Sequence, residues 1–119
     1  NTASFQSGLA HHECAWRAAR LLVVQTFADI EAAVGEGADL SPTMRADLRA
    51  AAVYATDVSR EVAQWAHLAA GTTAIREGSR LERAFRDLFT GTQHAFISQK
   101  VAIDAAQVWL GLVDDPLGL

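Results

Sequence analysis

The chain has 119 residues, half of them hydrophobic, with 8 glycines, 2 prolines and one cysteine, a size that buries one compact core. Ten Lys and Arg against fourteen Asp and Glu leave a net charge of −4, which excludes a broad electrostatic grip on nucleic acid or on an anionic membrane. Cys14 stands alone, so no intrachain disulfide or cysteine-based metal motif can form, and a reducing cytoplasm is the expected setting.

Apolar runs such as Leu21 to Val24 fall far short of the roughly 20 residues that cross a bilayer, so no membrane partner is expected. The chain opens on Asn1 with a short polar stretch and no charged-then-apolar leader. It is therefore read as a trimmed or processed start, part of a larger protein.

Phe5 to Val34 contains no proline and one glycine, Gly8, while Leu9, Trp16, Val23 and Ile30 recur every seven residues with Phe27 and Val34 beside them. This period predicts a long amphipathic helix over 5–34. Gly35 and Gly37 supply stop signals, and Ser41-Pro42 places a good N-cap before a proline at the first helical position, opening a second helix over 42–70. On it Met44, Leu48, Ala51, Ala55, Val58, Val62, Trp65 and Ala69 alternate in steps of four and three, the a/d seam of bundle packing. At about 1.5 Å per residue each long helix runs roughly 40 Å, and the short loop between them makes the pair antiparallel.

Gly71 to Gly78 is too rich in glycine and threonine to continue that helix. Ser79 and Glu82 stand at capping-box spacing and start a third helix over 80–97, with Leu81, Phe85, Leu88, Thr92 and Ala95 on its seam. Ser98 caps a fourth over 99–112, with Val101, Ala105, Val108 and Leu112 facing inward before Gly111 and Pro116 end the order. The expected fold is all-α, an up-and-down four-helix bundle of two long and two shorter helices in one domain over 1–119.

His11-His12-Glu13 invites a metal reading, but consecutive residues point about 100° apart on a helix whereas ligands sharing a face are spaced three or four apart. No metal site is assigned. Cys14 reads as packing, and Trp16, Trp65 and Trp109, on or beside the seams, read as core or interface anchors. Helix three offers more. At 100° per residue, and with helical geometry continued through Gly91, Arg76, Arg80, Arg83, Asp87 and His94 fall within about 40° of one line, a polar ridge whose residue Gly91 leaves the backbone open beside His94. A solvated face braced by an Arg83–Asp87 pair explains the same pattern.

The stretch from Ala70 to His94, a small-residue loop followed by a capped helix bearing Glu82-Arg83-Ala84-Phe85-Arg86-Asp87, resembles the C-terminal helical domain of the acyl-CoA dehydrogenase superfamily. The order and lengths of the four helices agree with it over about residues 8 to 112. The resemblance implies a C-terminal domain of a flavin-dependent oxidoreductase, inactive alone, that shares a flavin (FAD or FMN) and substrate pocket and builds a homo-oligomer interface. The loop residues Gly71, Thr72, Thr73 and Arg76 match the segment that meets the phosphate-bearing end of the flavin. In the dehydrogenases proper a Tyr-Glu-Gly-Thr-like element follows the Arg-Asp pair and its glutamate takes the α-proton. Here His94 stands at the tyrosine position and Ala95 at the glutamate position, Leu68 replaces a glutamine, and Gly71-Thr72 replaces two glycines.

These departures resemble instead the branch of flavin-dependent aromatic-ring and sulfur monooxygenases, which carry a histidine at this place, and Gln93-His94 matches it. A histidine changes charge close to neutral pH and can donate a hydrogen bond to an oxygen carried by the flavin or take a proton from a phenol. His94 is thus the expected catalytic residue. The alternatives are an acyl-CoA dehydrogenase with its base elsewhere, acting on an acyl-CoA rather than a small organic substrate, and a non-catalytic helical interaction module. If Arg76 holds a flavin phosphate, Arg76→Ala in the full-length protein weakens flavin retention about tenfold or more, the loss of one charge-assisted bond of about 1.5 to 3 kcal/mol. The flavin dissociation constant measures this.

Overall fold

The computed structural model describes residues 2–72, 78–94 and 97–114. Four helices are present among them: α1 (Ala3–Gly35), α2 (Pro42–Ala70), α3 (Arg80–Gly91) and α4 (Gln99–Trp109). The all-α bundle anticipated from the patterning is the fold.

The caps explain the boundaries. Thr2 Oγ1 accepts from Phe5 N–H at 3.1 Å and Ser41 Oγ from Met44 N–H at 3.1 Å with Pro42 in the first turn, each satisfying a donor the helix leaves open. At the far end of α1, Ala38 N–H donates to Ala33 O and Gly37 N–H to Val34 O, the two bonds of a Schellman motif, with Gly37 at φ +80 where a side chain would be strained. The same motif closes α4, as Leu112 N–H donates to Gln107 O and Gly111 N–H to Val108 O. The fourth helix therefore stops at Trp109, not at 112, because the chain reverses at Gly111 (φ +68). Ser98 occupies its N-cap position but makes no side-chain capping bond.

The packing has a hub. α2 packs against each of the other three helices, which meet one another little. Phe5 and Gly8 of α1 lie beside Trp65 near the end of α2, whereas Leu22 and Thr26 share a cleft with Met44 and Asp47 near its start, so the two run antiparallel. α3 is antiparallel to α2 as well: Phe85 is 4.4 Å from His67, and Gly91 and Thr92 border a groove with Ala55 and Ser59. α4 takes the same direction, since Ser98 and Gln99 lie by Asp57 and Arg60 while Trp109 bonds Asp47. α3 and α4 thus lie end to end along α2 and point the same way, so the all-α bundle stands but the expected up-and-down alternation ends at α3, because the break after Gly91 does not reverse the chain.

The core is built of small residues. Ala19, Ala46, Ala51, Val53, Val58, Val101 and Ala105 are buried, and no large side chain among the described residues is fully buried. On α1 the stripe against α2 runs through Gly8, His12, Ala15, Ala19, Val23, Thr26, Ile30 and Ala33, in steps of three and four. Leu9, Trp16, Phe27 and Val34, expected on the core seam, flank that stripe and are about half exposed. Small residues bring the helix axes close, which pushes larger neighbours to the edges. Thr26 is tolerated at the contact because its hydroxyl donates to Leu22 O at 2.7 Å, satisfying its own donor.

α1 and α2 approach closely at Gly8. Trp65 is stacked between Phe5 (5.5 Å) and His12 (4.9 Å), and a Cβ on Gly8 would meet its Nε1 at 2.7 Å. Alanine ordinarily gains about 1 kcal/mol over glycine inside a helix. Here Gly8→Ala destabilises instead, by about 1 to 3 kcal/mol through overpacking against a ring held on two sides, and thermal unfolding followed by circular dichroism reads the sign.

Candidate functional site

The sequence-selected residues lie along the path from the end of α2 through α3 to the start of α4. Gly71 is the C-cap of α2, its N–H donating to Leu68 O at a backbone φ of +60, a conformation that suits glycine. Thr72 follows it on the exposed surface. Thr73 and Arg76 lie outside the described residues.

Ser79 opens α3 as expected, its Oγ accepting from Glu82 N–H at 3.0 Å. The Glu82 carboxylate turns along the helix toward Arg86, at 3.8 Å. That i, i+4 pair replaces the expected Arg83–Asp87 pair as the ion pair of α3 among the described residues. Phe85 stacks between His67 and Phe89, at 4.4 Å from each, which fixes the aromatic side of α3 near the end of α2.

The third helix ends at Gly91, not at 97. Thr92 is buried, its N–H donates to Leu88 O at 3.0 Å, and its hydroxyl donates to Phe89 O at 2.8 Å. A carbonyl of the last turn is thereby taken by a side chain, and the chain tightens into a turn. His94 N–H then donates to Gly91 O at 3.4 Å and Ile97 N–H to His94 O at 3.0 Å. His94 is exposed and three residues past the helix, so it does not lie on the ridge with Arg80, Arg83 and Asp87, because Thr92 stops the helix before position 94.

Two recesses border this break. One, of about 350 Å³, lies between α2 and α3 and is lined by Thr56, Ser59, Asp87 and Gly91 among others. Nothing lies within 4 Å of a Cβ built on Gly91, so open space adjoins it. Thr56 and Ser59 spend their hydroxyl protons on Ala52 O and Ala55 O and offer the groove acceptor oxygens. The other, of about 470 Å³, lies at the α3–α4 junction and is lined by Asp57, Arg60, Thr92, Gln93, Ser98 and Gln99 among others. Arg60 and Asp57 are 3.8 Å apart.

The fold therefore brings Asp87, Gly91 and the turn carrying His94 to one end of α3, with a polar stretch of α2 beside them. Gly71 and Thr72 stand at the other end, beyond the 12 residues of α3, a length of about 18 Å. Sequence reading missed Thr56, Asp57, Ser59 and Arg60. Their signal was present, a polar cluster in the middle of an Ala- and Val-rich helix, but only the position of α3 and α4 shows what it faces.

The other candidate groups are engaged elsewhere. His12 stacks on Trp65 with His11 edge-on to it, Glu13 pairs with Arg17 at 2.9 Å, and no metal-binding group of His, Cys, Asp or Glu forms among the described residues. No helix among them is long and apolar enough to cross a membrane. Trp65 anchors α1 to α2, whereas Trp16 and Trp109 stay about half exposed. Cys14 is exposed.

The family model described as acyl-CoA dehydrogenase, C-terminal domain, matches residues 1–99. No curated protein and no solved structure matches the chain.

Gly91 now separates two demands. Nothing in the fold crowds a side chain there, so Gly91→Ala leaves stability unchanged or raises it by up to about 1 kcal/mol. A fall in turnover of the full-length protein at unchanged melting temperature would mark the open space as ligand space.

Proposed function

The chain belongs to the acyl-CoA dehydrogenase C-terminal domain family, and from that premise we propose that it is the helical part of a flavin-dependent monooxygenase, with His94 as its proton-handling residue. The reading rests on one observation above the others. The turn after α3, whose Thr92 lines both recesses and whose Gln93 lines one, carries the exposed His94, where the dehydrogenase pattern calls for a carboxylate and this chain has Ala95.

A bound reduced flavin supplies the electrons for oxygen chemistry. What the chain's own residues do is narrower. His94 holds a proton at an imidazole nitrogen and delivers it to, or withdraws it from, an oxygen atom within hydrogen-bond reach. Its backbone is tied on both sides, to Gly91 O and to Ile97 N–H, which limits wandering of the ring and lowers the cost of orienting it. Thr56, Ser59 and Asp87 give the adjacent groove acceptor oxygens suited to a hydroxyl-bearing substrate. Gly71, Thr72, Thr73 and Arg76 are proposed to meet the phosphate-bearing end of a flavin. Because α3 separates Gly71 and Thr72 from His94, the loop and the histidine are assigned to different parts of the cofactor or to two cofactors in an oligomer.

The surface supports assembly. A compact monomer of 12.8 kDa exposes about 6,300 Å², and this chain exposes 8244 Å². Phe5, Leu9, Trp16 and Phe27 are part of that surface. An excess of total surface that includes large apolar side chains suits faces covered by partners, and we assign it to contacts with the rest of the flavoenzyme and with sister subunits.

In the full-length enzyme His94→Ala lowers the chemical step about 10² to 10⁴-fold, the usual range for a general acid or base, with flavin content and melting temperature nearly unchanged. A destabilised but fully active variant ends the catalytic assignment. Flavin reduction on adding an acyl-CoA thioester, in place of substrate hydroxylation by reduced flavin and oxygen, would identify a dehydrogenase with its base elsewhere.

A further inference from the structure

At the end of α2 away from the loop, a cleft of about 270 Å³ opens between α1 and α2 and is bordered by α4. Its walls are largely apolar: Leu22 and Ile30 from α1, Met44 and Ala50 from α2, and the Trp109 ring. Two carboxylates join them, Asp29 from α1 and Asp47 from α2.

Each carboxylate is held by a neutral donor. Gln25 Nε2 donates to Asp29 Oδ1 at 2.8 Å, and Trp109 Nε1 donates to Asp47 Oδ1 at 2.8 Å across 62 residues of sequence. These bonds orient the carboxylates without neutralising them, and a carboxylate accepts about four hydrogen bonds, so acceptor capacity remains. No Lys, Arg or His lines the cleft among the described residues. Two exposed like charges thus border an apolar recess, and a cation seated between them is attracted by both. The half-exposed indole adds a ring face that attracts cations.

We propose that this cleft binds a small organic ammonium ion with an apolar body, the cationic head between Asp29 and Asp47 and the hydrocarbon against Trp109, Met44 and Leu22. A hard metal ion suits the cleft poorly, because it requires about six oxygen ligands and the walls are mostly carbon. A neutral apolar molecule leaves both carboxylates uncompensated. The assignment is independent of the flavin reading, since no residue of the His94 turn lines this cleft.

Isothermal titration of the full-length protein with 2-phenylethylammonium and with neutral 2-phenylethanol, at matched ionic strength, tests it. The ammonium ion binds at least tenfold more tightly than the alcohol. The double variant Asp29→Asn, Asp47→Asn loses that preference, whereas Glu31→Gln with Asp39→Asn, which removes two exposed charges elsewhere, keeps it. Ala50→Lys, which sets a cation in the cleft, abolishes ammonium binding and serves in place of the double variant if that one does not fold. Equal affinity for the two probes overturns the proposal, as does no ammonium binding at millimolar concentration. So does a preference that survives loss of both cleft carboxylates or the lysine, or one lost equally in the surface control.

Discussion

Every other helix depends on α2 for its partner. A helix with three neighbours cannot use one apolar stripe; it must present packable surface around much of its circumference. Ala51 and Val58, seven residues apart, stay on one side, while Val53 lies two positions and therefore about 200° from Ala51, and both sides are buried. Hydroxyl residues fit between these faces because Thr56 and Ser59 return their protons to carbonyls of their own helix and so bring no unsatisfied donor into a contact. The alanine-rich composition of α2 follows from this geometry, since small side chains let three helices approach one axis.

The same arrangement makes the molecule long and thin. Its extents are 51 × 26 × 25 Å and its radius of gyration is 17.4 Å, where a compact domain of this length has about 13.5 Å. The long dimension matches the 33 residues of α1 at about 1.5 Å each. A body of this shape has little interior, so its larger apolar side chains remain at the margins of the helix contacts. This shape explains how Trp16 and Phe27 can be well placed in the pattern and still half exposed.

The break between α3 and α4 turns shape into chemistry. One uninterrupted helix along α2 would leave no recess there, and the residue at position 94 would project from a helical face. Thr92 ends the helix by satisfying Phe89 O with its own hydroxyl, and the turn that follows sets Gln93 at the recess bordered by Asp57 and Arg60 of α2 and carries His94 past the helix end. A buried threonine of no obvious chemical interest thus decides where the imidazole stands.

Read alone, the sequence determined what depends on neighbours within a few residues. The Ser41-Pro42 and Ser79 caps, the glycine stop after α1, the antiparallel long pair and the all-α class were all legible, because hydrophobic period, cap chemistry and positive-φ glycines act locally. The resemblance carried by Glu82 to Asp87 also pointed to the family that the match over residues 1–99 shows. Tertiary structure alone decided which flank of α1 is buried. Its heptad pattern marks Leu9 and Trp16 as readily as the neighbouring stripe through Ala19 and Thr26, and only the close approach of α2 at Gly8 selects the small residues. The end of α3 at Gly91, the tandem placement of α3 and α4, and the meeting of Trp109 with Asp47 across 62 residues were likewise beyond a local reading. Each depends on which side of α2 a distant helix comes to occupy, and periodicity along one helix carries no information about that choice.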